Sequence, residues 1–311
     1  MGLRKVHIFA FGKMNFIHTV LSKRKLNWFV ENGKVEGWFD PRFPTVQGCV
    51  RRGINVDALK SFILSQGASR RVITMEWDKF WAENKRVLED IAPRFMGISE
   101  DALVKFEITN FSPSDPDGDE VQVPLLPSKP DAGSRIQRRS NVLFVEQEDA
   151  ATYKQGEEVT FLRWGNFIID EISRSEAGRV LGMKGRFNAD ATNFSKTKKA
   201  TWLAATSGCV TCRLVEFDHL IAKAKLENDE AFQDFLNPVT LAETTAICDP
   251  LVKTLPAGTV IQLERKGFYR IDQAGSDTQA PVLFYIPDGR LTKTLAERVV
   301  ERESKAKAIS M

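Results

Sequence analysis

The chain has 311 residues, of which 42% are apolar and 27% are charged, an ordinary composition for a folded protein with two or more domains. It contains no run of about 18 apolar residues, which excludes a membrane-spanning helix as a predicted element. Residues 1–5 lack the long apolar segment of a secretory signal. Four cysteines in this length indicate a reducing compartment rather than a disulfide framework.

The net charge of +3 is distributed unevenly along the chain. Residues 1–94 hold 17 Lys and Arg against 9 Asp and Glu, whereas the remaining residues hold 27 against 32. Binding to a phosphate backbone depends on clustered positive charge of this kind. The asymmetry therefore favours a nucleic-acid partner for the first third of the chain.

A basic stretch opens the first predicted helix. Ser22 is suited to the N-cap position, and Gly33 is a natural stop. Leu26, Phe29 and Val30 share one helical face. Lys23 and Arg24 then lie beside unpaired backbone amides at the positive end of the helix dipole, where cations are disfavoured unless an anion is present. The pattern indicates either a phosphate-binding site or a helix start that simply faces water.

The first third is predicted to be mainly helical. Residues 6–17 are apolar enough for a buried strand, and residues 22–91 have helical periodicity. Within that range, Asn55 is expected to cap a helix that stops at Gly67, and Thr74 is expected to cap the next one.

After Pro93 the pattern changes to short alternating runs separated by turn residues, which is typical of barrels or sandwiches. Residues 124–140 are predicted to be a Pro/Gly/Ser-rich connection, residues 219–236 an amphipathic helix, and the charged tail from Leu291 a helix that frays. Strands are predicted around residues 103–108, 141–146, 158–163, 166–172, 179–187, 201–204, 210–215, 260–264 and 268–271.

Independent catalytic and metal motifs are weak. Cys209 and Cys212 have the spacing of a zinc knuckle, but only His219 is nearby and a structural zinc site needs four ligands. We therefore predict no metal site and expect these cysteines to be small buried hydrophobes. Neither a GxxxxGK[ST] loop nor a GxGxxG motif occurs in the sequence.

The sequence resembles the class I aminoacyl-tRNA synthetases of the glutamyl/glutaminyl branch up to about residue 290. Residues 19–26, TVLSKRKL, resemble the signature loop of this branch, and residues 37–45, GWFDPRFPT, match its GWDDPRFPT with Phe39 in place of the first Asp. Arg51-Arg52-Gly53, residues 75–78 (MEWD) and residues 92–94 (APR) follow in the expected order. Residues 66–70 and 75–79 favour the eukaryotic-type glutamyl enzymes over the glutaminyl ones.

The resemblance implies a two-step reaction in which glutamate and ATP give an adenylate and the glutamyl group then moves to the terminal ribose of tRNA-Glu. ATP and Mg²⁺ would be used as substrates, with no tightly bound cofactor. Ser22, Lys23 and Arg24 would be the catalytic contacts to the ATP phosphates, because a flexible lysine can stabilise charge that develops on the triphosphate.

The resemblance also implies residues that contact tRNA. Arg94 lies where the family has an arginine against the first anticodon base, Gln262 matches a glutamine near the middle base, and Arg163 matches a segment lying over the anticodon loop. The arginines of the family motifs, Arg42, Arg51 and Arg52, are expected to be further tRNA contacts.

The expected fold is mainly β with an N-terminal α-helical region and two β-barrels that grip the anticodon. The expected domains are residues 1–92 (helical, with the signature loop), 93–125 with 240–290 (proximal barrel), 126–239 (distal barrel) and 291–311 (charged tail).

No Rossmann half with a HIGH-type motif precedes residue 20, so we expect the C-terminal portion of a longer cytoplasmic enzyme that is inactive by itself. Multi-synthetase assemblies are the expected further partners. Two alternatives are a glutaminyl-tRNA synthetase fragment and a tRNA-binding scaffold protein without catalysis.

Overall fold

The computed structural model describes the whole chain except residues 1, 3, 9–11, 68–69, 228, 291–292 and 311, and it describes only the backbone of 305–310. The described chain is mainly β with 23% helix, and the helices α1–α4 introduced below all lie near its N-terminus, which confirms the expected fold class. It divides into two compact units. The first unit is Met1–Glu89, Phe217–Thr240 and Pro287–Thr292, and the second unit is Asp90–Glu216, Leu241–Ile286 and Lys293–Met311.

The first unit contains four helices and one pair of parallel strands. They are β1 (Met14–Phe16), α1 (Lys23–Glu31), α2 (Val46–Arg51), α3 (Val56–Ser65), β2 (Ile73–Met75) and α4 (Trp77–Glu89). The predicted strand at 6–17 is thus much shorter than expected in the described residues, and Ile8 is 81% exposed.

Local sequence explains most helix ends in this unit. The Asn55 side chain accepts hydrogen bonds from the amides of Asp57 and Ala58, as predicted, and Gly33 follows α1 with φ +62°. Ser22 holds the N-cap position of α1, but its hydroxyl makes no capping hydrogen bond. The predicted cap at Thr74 is wrong, because Thr74 lies within β2 and α4 begins three residues later.

The segment 217–240 does not form the predicted amphipathic helix. Its described residues contain only a short 3₁₀ turn, Phe232–Phe235, and its apolar side chains Leu220, Ile221 and Phe232 are buried in a cluster with Leu26 and Phe29 of α1. Tertiary burial of scattered apolar residues here outweighs helix propensity, which is a weak preference.

The second unit is built from strands β3–β18. They are β3 (Arg94–Phe95), β4 (Gly97–Ser99), β5 (Leu103–Ile108), β6 (Asp119–Pro124), β7 (Ser134–Arg139), β8 (Val142–Glu146), β9 (Glu158–Phe161), β10 (Gly165–Arg174), β11 (Val180–Asn188), β12 (Lys198–Ala200), β13 (Trp202–Ala204), β14 (Val210–Phe217), β15 (Leu241–Cys248), β16 (Val260–Leu263), β17 (Gly267–Gln273) and β18 (Val282–Ile286). Helix α5 (Gln147–Thr152) follows β8, and α6 (Leu295–Ser310) follows β18.

These strands form two seven-stranded sheets. The first sheet has the order β12-β9-β10-β11-β5-β8-β13, and the second sheet has the order β3-β16-β17-β18-β14-β15-β4. In each sheet the two edge strands are consecutive in the chain, with only Thr201 between β12 and β13 and only Met96 between β3 and β4. This connection places the two edge strands of each sheet next to each other in the chain, and one of the sheets is a nearly closed barrel.

The sheet pairing divides the chain differently from the expected barrel ranges at two strands. Leu103–Ile108 pairs within the first sheet, together with β8–β13, and Val210–Phe217 pairs within the second sheet. Each sheet has its own buried core, which includes Phe106, Phe161 and Phe167 in the first and Phe95, Leu263 and Leu283 in the second.

The predicted connection at 124–140 is partly wrong, because β7 occupies residues 134–139 and pairs with β6 in a separate hairpin. The buried positions of β7 are the polar Arg135 and Gln137, each 3% exposed, whereas Ile136 between them is 49% exposed. The alternation is therefore the reverse of an amphipathic strand, so hydrophobic patterning could not identify it.

Two histidines of the first unit, His18 and His219, stack on each other. The rings of His18 and His219 have centroids 5.1 Å apart, and His18 Nδ1 lies 3.2 Å from the Ile221 carbonyl oxygen. Burial lowers the pKa of His219 from 6.5 to about 4; Asp218 opposes this shift, while His18 and Arg52 add to it.

We expect acid to destabilise the first unit through His219. Because its folded-state pKa is depressed, the unfolded chain binds the extra proton as pH falls from about 6.5 towards 4, and stability is lost across that window. Between pH 7 and 5 the loss should be about 1–2 kcal/mol, allowing for the partial exposure of the ring. Urea unfolding at both pH values would measure it.

In the same experiment His219→Gln should remove most of this pH dependence, whereas His7→Gln, a change at an exposed residue, should retain it. An unchanged pH dependence in His219→Gln would show that other groups cause the acid sensitivity.

Candidate nucleic-acid interface

Two equivalent turns lie at the ends of paired strands in the two sheets. Arg163, between β9 and β10, and Arg265, between β16 and β17, both have φ +64°, and each is followed two residues later by a glycine with positive φ. In both turns a backbone amide closes the loop at 3.0 Å, from Trp164 to Phe161 and from Lys266 to Leu263. A non-glycine residue in this conformation costs energy, so the surrounding structure must hold these turns in place.

The β3–β16 pairing brings two predicted tRNA contacts together. Arg94 is the register partner of Gln262 in these parallel strands, and the amide of Gln262 donates to the Pro93 carbonyl at 2.9 Å. Residues that are register partners lie side by side on a sheet. Arg94 and Gln262, which are far apart in sequence, are therefore immediate neighbours.

A buried ion pair holds β3 in position. Arg135 Nη1 donates to Asp249 Oδ1 at 2.9 Å, and the side chains of Arg135 and Asp249 are 0% and 5% exposed. Arg135 Nε also donates to the Arg94 carbonyl at 3.1 Å, and Asp249 Oδ2 accepts from the Met96 amide at 2.6 Å. The pair thus bonds to the backbone on both sides of Phe95. Burial raises the pKa of Asp249, although Arg135 and the Met96 amide oppose that shift.

The third predicted residue, Arg163, reaches the same region from the first sheet. Its guanidinium is hydrogen-bonded and ion-paired with Glu264, which adjoins the second turn. Burial raises the pKa of Glu264, while Arg163, Arg94 and Arg135 act in the opposite direction. Burial likewise lowers the pKa of Arg163. We call Arg94, Arg135, Arg163, Asp249 and Glu264 the arginine cluster.

The cluster carries more donors than it uses. Arg94 Nε and Arg135 Nη2 are buried without a hydrogen-bond partner in the described chain. Arg139 lies beside the cluster, with its guanidinium 5.2 Å from the centre of the Trp164 ring and its Nη2 donating to the Arg163 carbonyl at 3.1 Å. Unsatisfied buried donors are costly and call for a further acceptor.

Sequence reasoning missed Arg135, Asp249 and Glu264. Glu264 lies two residues after Gln262, in a strand that the pattern did predict, but nothing in the sequence pairs it with Arg163, which lies 101 positions earlier. Only the folded chain brings these residues together.

The basic stretch of the first unit lies at the start of α1, as predicted. Ser22, Lys23 and Arg24 are exposed, and no acidic residue occupies the first turn of the helix. Three side chains are thus available beside free backbone amides. This geometry suits an anion, although it does not by itself identify one.

The arginines of the other family motifs are engaged within the first unit. Arg42 bonds to Asp40 through Nε at 2.9 Å, and Arg51 pairs with Glu36 at 2.6 Å. Arg52 donates to the Phe217 carbonyl at 2.9 Å and is 9% exposed. These contacts stabilise the fold of the unit, and a role of Arg42, Arg51 and Arg52 in binding tRNA stays a prediction.

Three of the four cysteines, Cys209, Cys212 and Cys248, lie in or beside the second sheet. Cys212 and Cys248 are buried in its core, and Cys209 Sγ donates to the Ala204 carbonyl at 3.2 Å. Burial raises the pKa of Cys209. The pKa of Cys248 is raised first by the hydrogen bond with the Cys212 side chain and then by burial. Both side chains therefore stay as neutral thiols, which is the form that a buried cysteine takes in apolar surroundings.

Comparison with known families identifies the chain. Residues 1–90 match the family described as "tRNA synthetases class I (E and Q), catalytic domain". Residues 92–188 and 199–272 match two families described as "tRNA synthetases class I (E and Q), anti-codon binding domain". The chain belongs to the glutamyl/glutaminyl branch of the class I tRNA synthetases. The residues that form the arginine cluster all fall within the two anticodon-binding matches.

Curated relatives of this synthetase branch agree. The chain is 45% identical over 298 residues to "Glutamate--tRNA ligase, cytoplasmic" of Arabidopsis thaliana and 44% identical over 292 residues to the protein of the same name in Saccharomyces cerevisiae. These alignments cover 94% and 93% of the chain. It is 40% identical over 318 residues, 99% of the chain, to "Bifunctional glutamate/proline--tRNA ligase" of Cricetulus griseus.

The chain spans 40% of the length of each of the two cytoplasmic ligases and 21% of the bifunctional one. The described part of this synthetase chain contains no helix long and apolar enough to cross a membrane.

We predict that the buried pair in the arginine cluster is needed for folding of the second unit. Arg135→Met leaves Asp249 buried without its partner and should lower the free energy of unfolding by about 3–5 kcal/mol. Chemical denaturation followed by tryptophan fluorescence would measure the change.

The matched control is Arg213→Met, in the same unit, which breaks an exposed pair with Glu243 and should cost less than about 1 kcal/mol. Equal losses in the two variants would mean that the burial of Arg135 has no special role.

Proposed function

We propose that the second unit reads the anticodon of tRNA-Glu within a glutamate–tRNA ligase. The observation that carries the proposal is the placement of Arg94, Gln262 and Arg163 in one region, from three separate parts of the chain. The resemblance alone assigned each of these residues to the anticodon, and the fold makes them neighbours.

The chemistry of the region suits unpaired bases. Single-stranded RNA is read through planar donors, amides and stacking surfaces that contact the base edges and faces. Arg94 and Arg163 supply guanidinium groups, and Gln262 supplies an amide. Base oxygens and ring nitrogens are acceptors of the required kind.

We propose that the exposed start of α1 takes part in the first step of the reaction, the formation of glutamyl-adenylate. Ser22, Lys23 and Arg24 would contact the phosphates of ATP while glutamate is converted to glutamyl-adenylate, with ATP and Mg²⁺ as substrates. A lysine ammonium stabilises the charge that gathers on the triphosphate as the bond to the leaving pyrophosphate breaks. The absence of acidic residues from the first helical turn supports this role.

The cellular setting is part of the proposal. Relatives named as cytoplasmic support a cytoplasmic location. Relatives named as bifunctional glutamate/proline ligases support work alongside other synthetases. We propose glutamate rather than glutamine as the amino acid substrate, because the relatives cited above are named as glutamate ligases.

We predict that Lys23→Ala slows adenylate formation by about 100-fold or more while changing tRNA affinity little, since the lost contact strengthens in the transition state. Glutamate-dependent ATP–pyrophosphate exchange would measure the first quantity in any form of the protein that makes the adenylate. A titration with tRNA-Glu would measure the second.

The control is Lys60→Ala, an exposed helical lysine of the same unit, which should leave exchange unchanged. An exchange rate in Lys23→Ala within a few-fold of wild type would remove Lys23 from the ATP site.

We predict that Arg94→Ala reduces discrimination at the first anticodon base by about 1–3 kcal/mol, the value of a good bidentate base contact in DNA readout. The measurement is a binding titration of this chain with tRNA-Glu transcripts that differ only at that base.

Arg213→Ala, at an exposed position of the second sheet, is the control and should leave base preference intact. Equal weakening of every transcript by Arg94→Ala, together with a shallower dependence of affinity on salt, would instead make Arg94 a phosphate contact.

A further inference from the structure

One residue just before the basic stretch has a backbone conformation that its surroundings must hold in place. His18 has φ +56°, which lies in the left-handed region that residues with a side chain seldom adopt. The other described residues with a side chain and a positive φ, Arg163 and Arg265, lie in tight turns between paired strands. His18 instead lies between β1 and the exposed start of α1, so a turn between paired strands does not explain its conformation.

Contacts with residues 219–224 fix His18. Its amide donates to the Ala224 carbonyl at 2.9 Å, and its ring Nδ1 lies 3.2 Å from the Ile221 carbonyl oxygen. The imidazole ring stacks on the ring of His219 with an angle of 17° between the ring planes. One neighbouring segment therefore restrains both the backbone and the side chain of His18, which is what a strained residue requires.

The segment that contacts His18 is itself well fixed. The side-chain amide of Asn237 donates to the His219 carbonyl at 2.9 Å. The backbone amide of Ala222 donates to the Phe235 carbonyl at 2.9 Å. Ile221 is 1% exposed and belongs to the buried cluster of the first unit. His219 is thus a fixed partner on which a second ring can be positioned.

The neighbours of His18 in the chain are restrained as well. The Ile17 amide donates to the Met75 carbonyl at 2.9 Å, and Trp77 Nε1 donates to the Thr19 hydroxyl at 2.9 Å. Val20 is 8% exposed and packs in the same buried cluster. Every residue from 17 to 20 therefore has a fixed contact with another part of the first unit.

These restraints end at Leu21, which is 43% exposed. The side chains of Ser22, Lys23 and Arg24 make no hydrogen bond or ion pair with any residue that the structure describes. The direction in which Lys23 leaves the first unit is therefore set by the residues before Leu21. A single left-handed residue turns the backbone sharply, so a change at His18 would redirect the residues that follow it.

We propose that His18 is a positioning residue for the ATP-phosphate contacts at the start of α1. Its ring, stacked on His219, holds the backbone turn that sets where Lys23 meets the phosphates. The inference rests on the proposed function, because it gives His18 a role only through Lys23.

Limited trypsin digestion of this chain tests the structural part of the inference. Trypsin cleaves after Lys and Arg, and cleavage of a folded chain reports how often the cleaved segment opens. The measured quantity is the rate of cleavage after residues 23–25, divided by the rate after Lys60, an exposed lysine of the same unit. His18→Ala should raise this ratio about 2- to 12-fold, the range for loss of one aromatic ring contact.

Two matched variants make the digestion specific. His18→Phe keeps a planar ring that can stack on His219 and should leave the ratio close to that of wild type. His7→Ala, which changes an exposed histidine, should leave it unchanged. General unfolding by His18→Ala would raise both cleavage rates together, which would overturn a local role. An equal rise in His18→Ala and His18→Phe would also overturn the inference, because the ring contact would then have no part in it.

Glutamate-dependent ATP–pyrophosphate exchange tests the catalytic part, in any form of the protein that makes the adenylate. His18→Ala should slow exchange about 10- to 100-fold, the range for a reacting group displaced by about 1 Å. In a Lys23→Ala background the same change should have little further effect, since its action passes through Lys23. A residue that only stabilises the fold would slow exchange by the same factor in both backgrounds.

The results separate this inference from the proposed function. Equal slowing of exchange by His18→Ala in the two backgrounds, or an unchanged cleavage ratio, would overturn the inference and leave the proposed role of Lys23 standing. Normal exchange in Lys23→Ala would overturn both, because His18 would then have no catalytic contact to position.

Discussion

The buried contact between Arg135 and Asp249 is the interaction on which the second unit depends most. It desolvates two charges, a cost that ion pairing recovers only when the geometry is good and other hydrogen bonds are made. Here both oxygens of Asp249 accept hydrogen bonds, and Arg135 donates to the Arg94 carbonyl. The pair therefore joins β7 and the residue that follows β15 to the backbone of β3 and of Met96. Removing one partner would leave the other charge buried and unpaired.

Closure of the second sheet follows from that contact. Strands β3 and β4 are the two edges of this sheet, and Met96 between them is 1% exposed. The pair bonds to the backbone at residues 94 and 96, which fixes the point where the edges meet. Arg94 takes its position from this closure, and Gln262 lies beside it because β16 pairs with β3. The placement of the proposed anticodon contacts is therefore a consequence of how the sheet closes.

Much of this architecture can be predicted from the sequence, for physical reasons that differ between elements. Strands such as Leu103–Ile108 alternate apolar and polar residues, and Asn55 and Gly33 have the chemistry of helix ends. In contrast, β7 buries Arg135 and Gln137 and exposes Ile136, so its pattern opposes its structure. The helix predicted for residues 219–236 is wrong for another reason. The apolar residues of this segment are buried individually against α1 and do not form a helical stripe.

The candidate site was only partly predictable for the same kind of reason. Lys23 and Arg94, whose proposed roles do not depend on a partner side chain, lie in motifs that a resemblance can identify. Glu264 belongs to the arginine cluster through its contact with Arg163, and Arg135 through its contact with Asp249, across 101 and 114 positions of the chain. Such partnerships depend on tertiary structure, and no local pattern contains them.

The most direct test of the account is photo-crosslinking of tRNA-Glu that carries 4-thiouridine at the middle anticodon position. The crosslinked base forms a bond with whatever side chain it touches, and mass spectrometry of the digested complex identifies the peptide. The account predicts crosslinks in peptides that contain Arg94, Arg163 or Gln262. Crosslinks confined to the first unit or to α6, with none in those peptides, would contradict it.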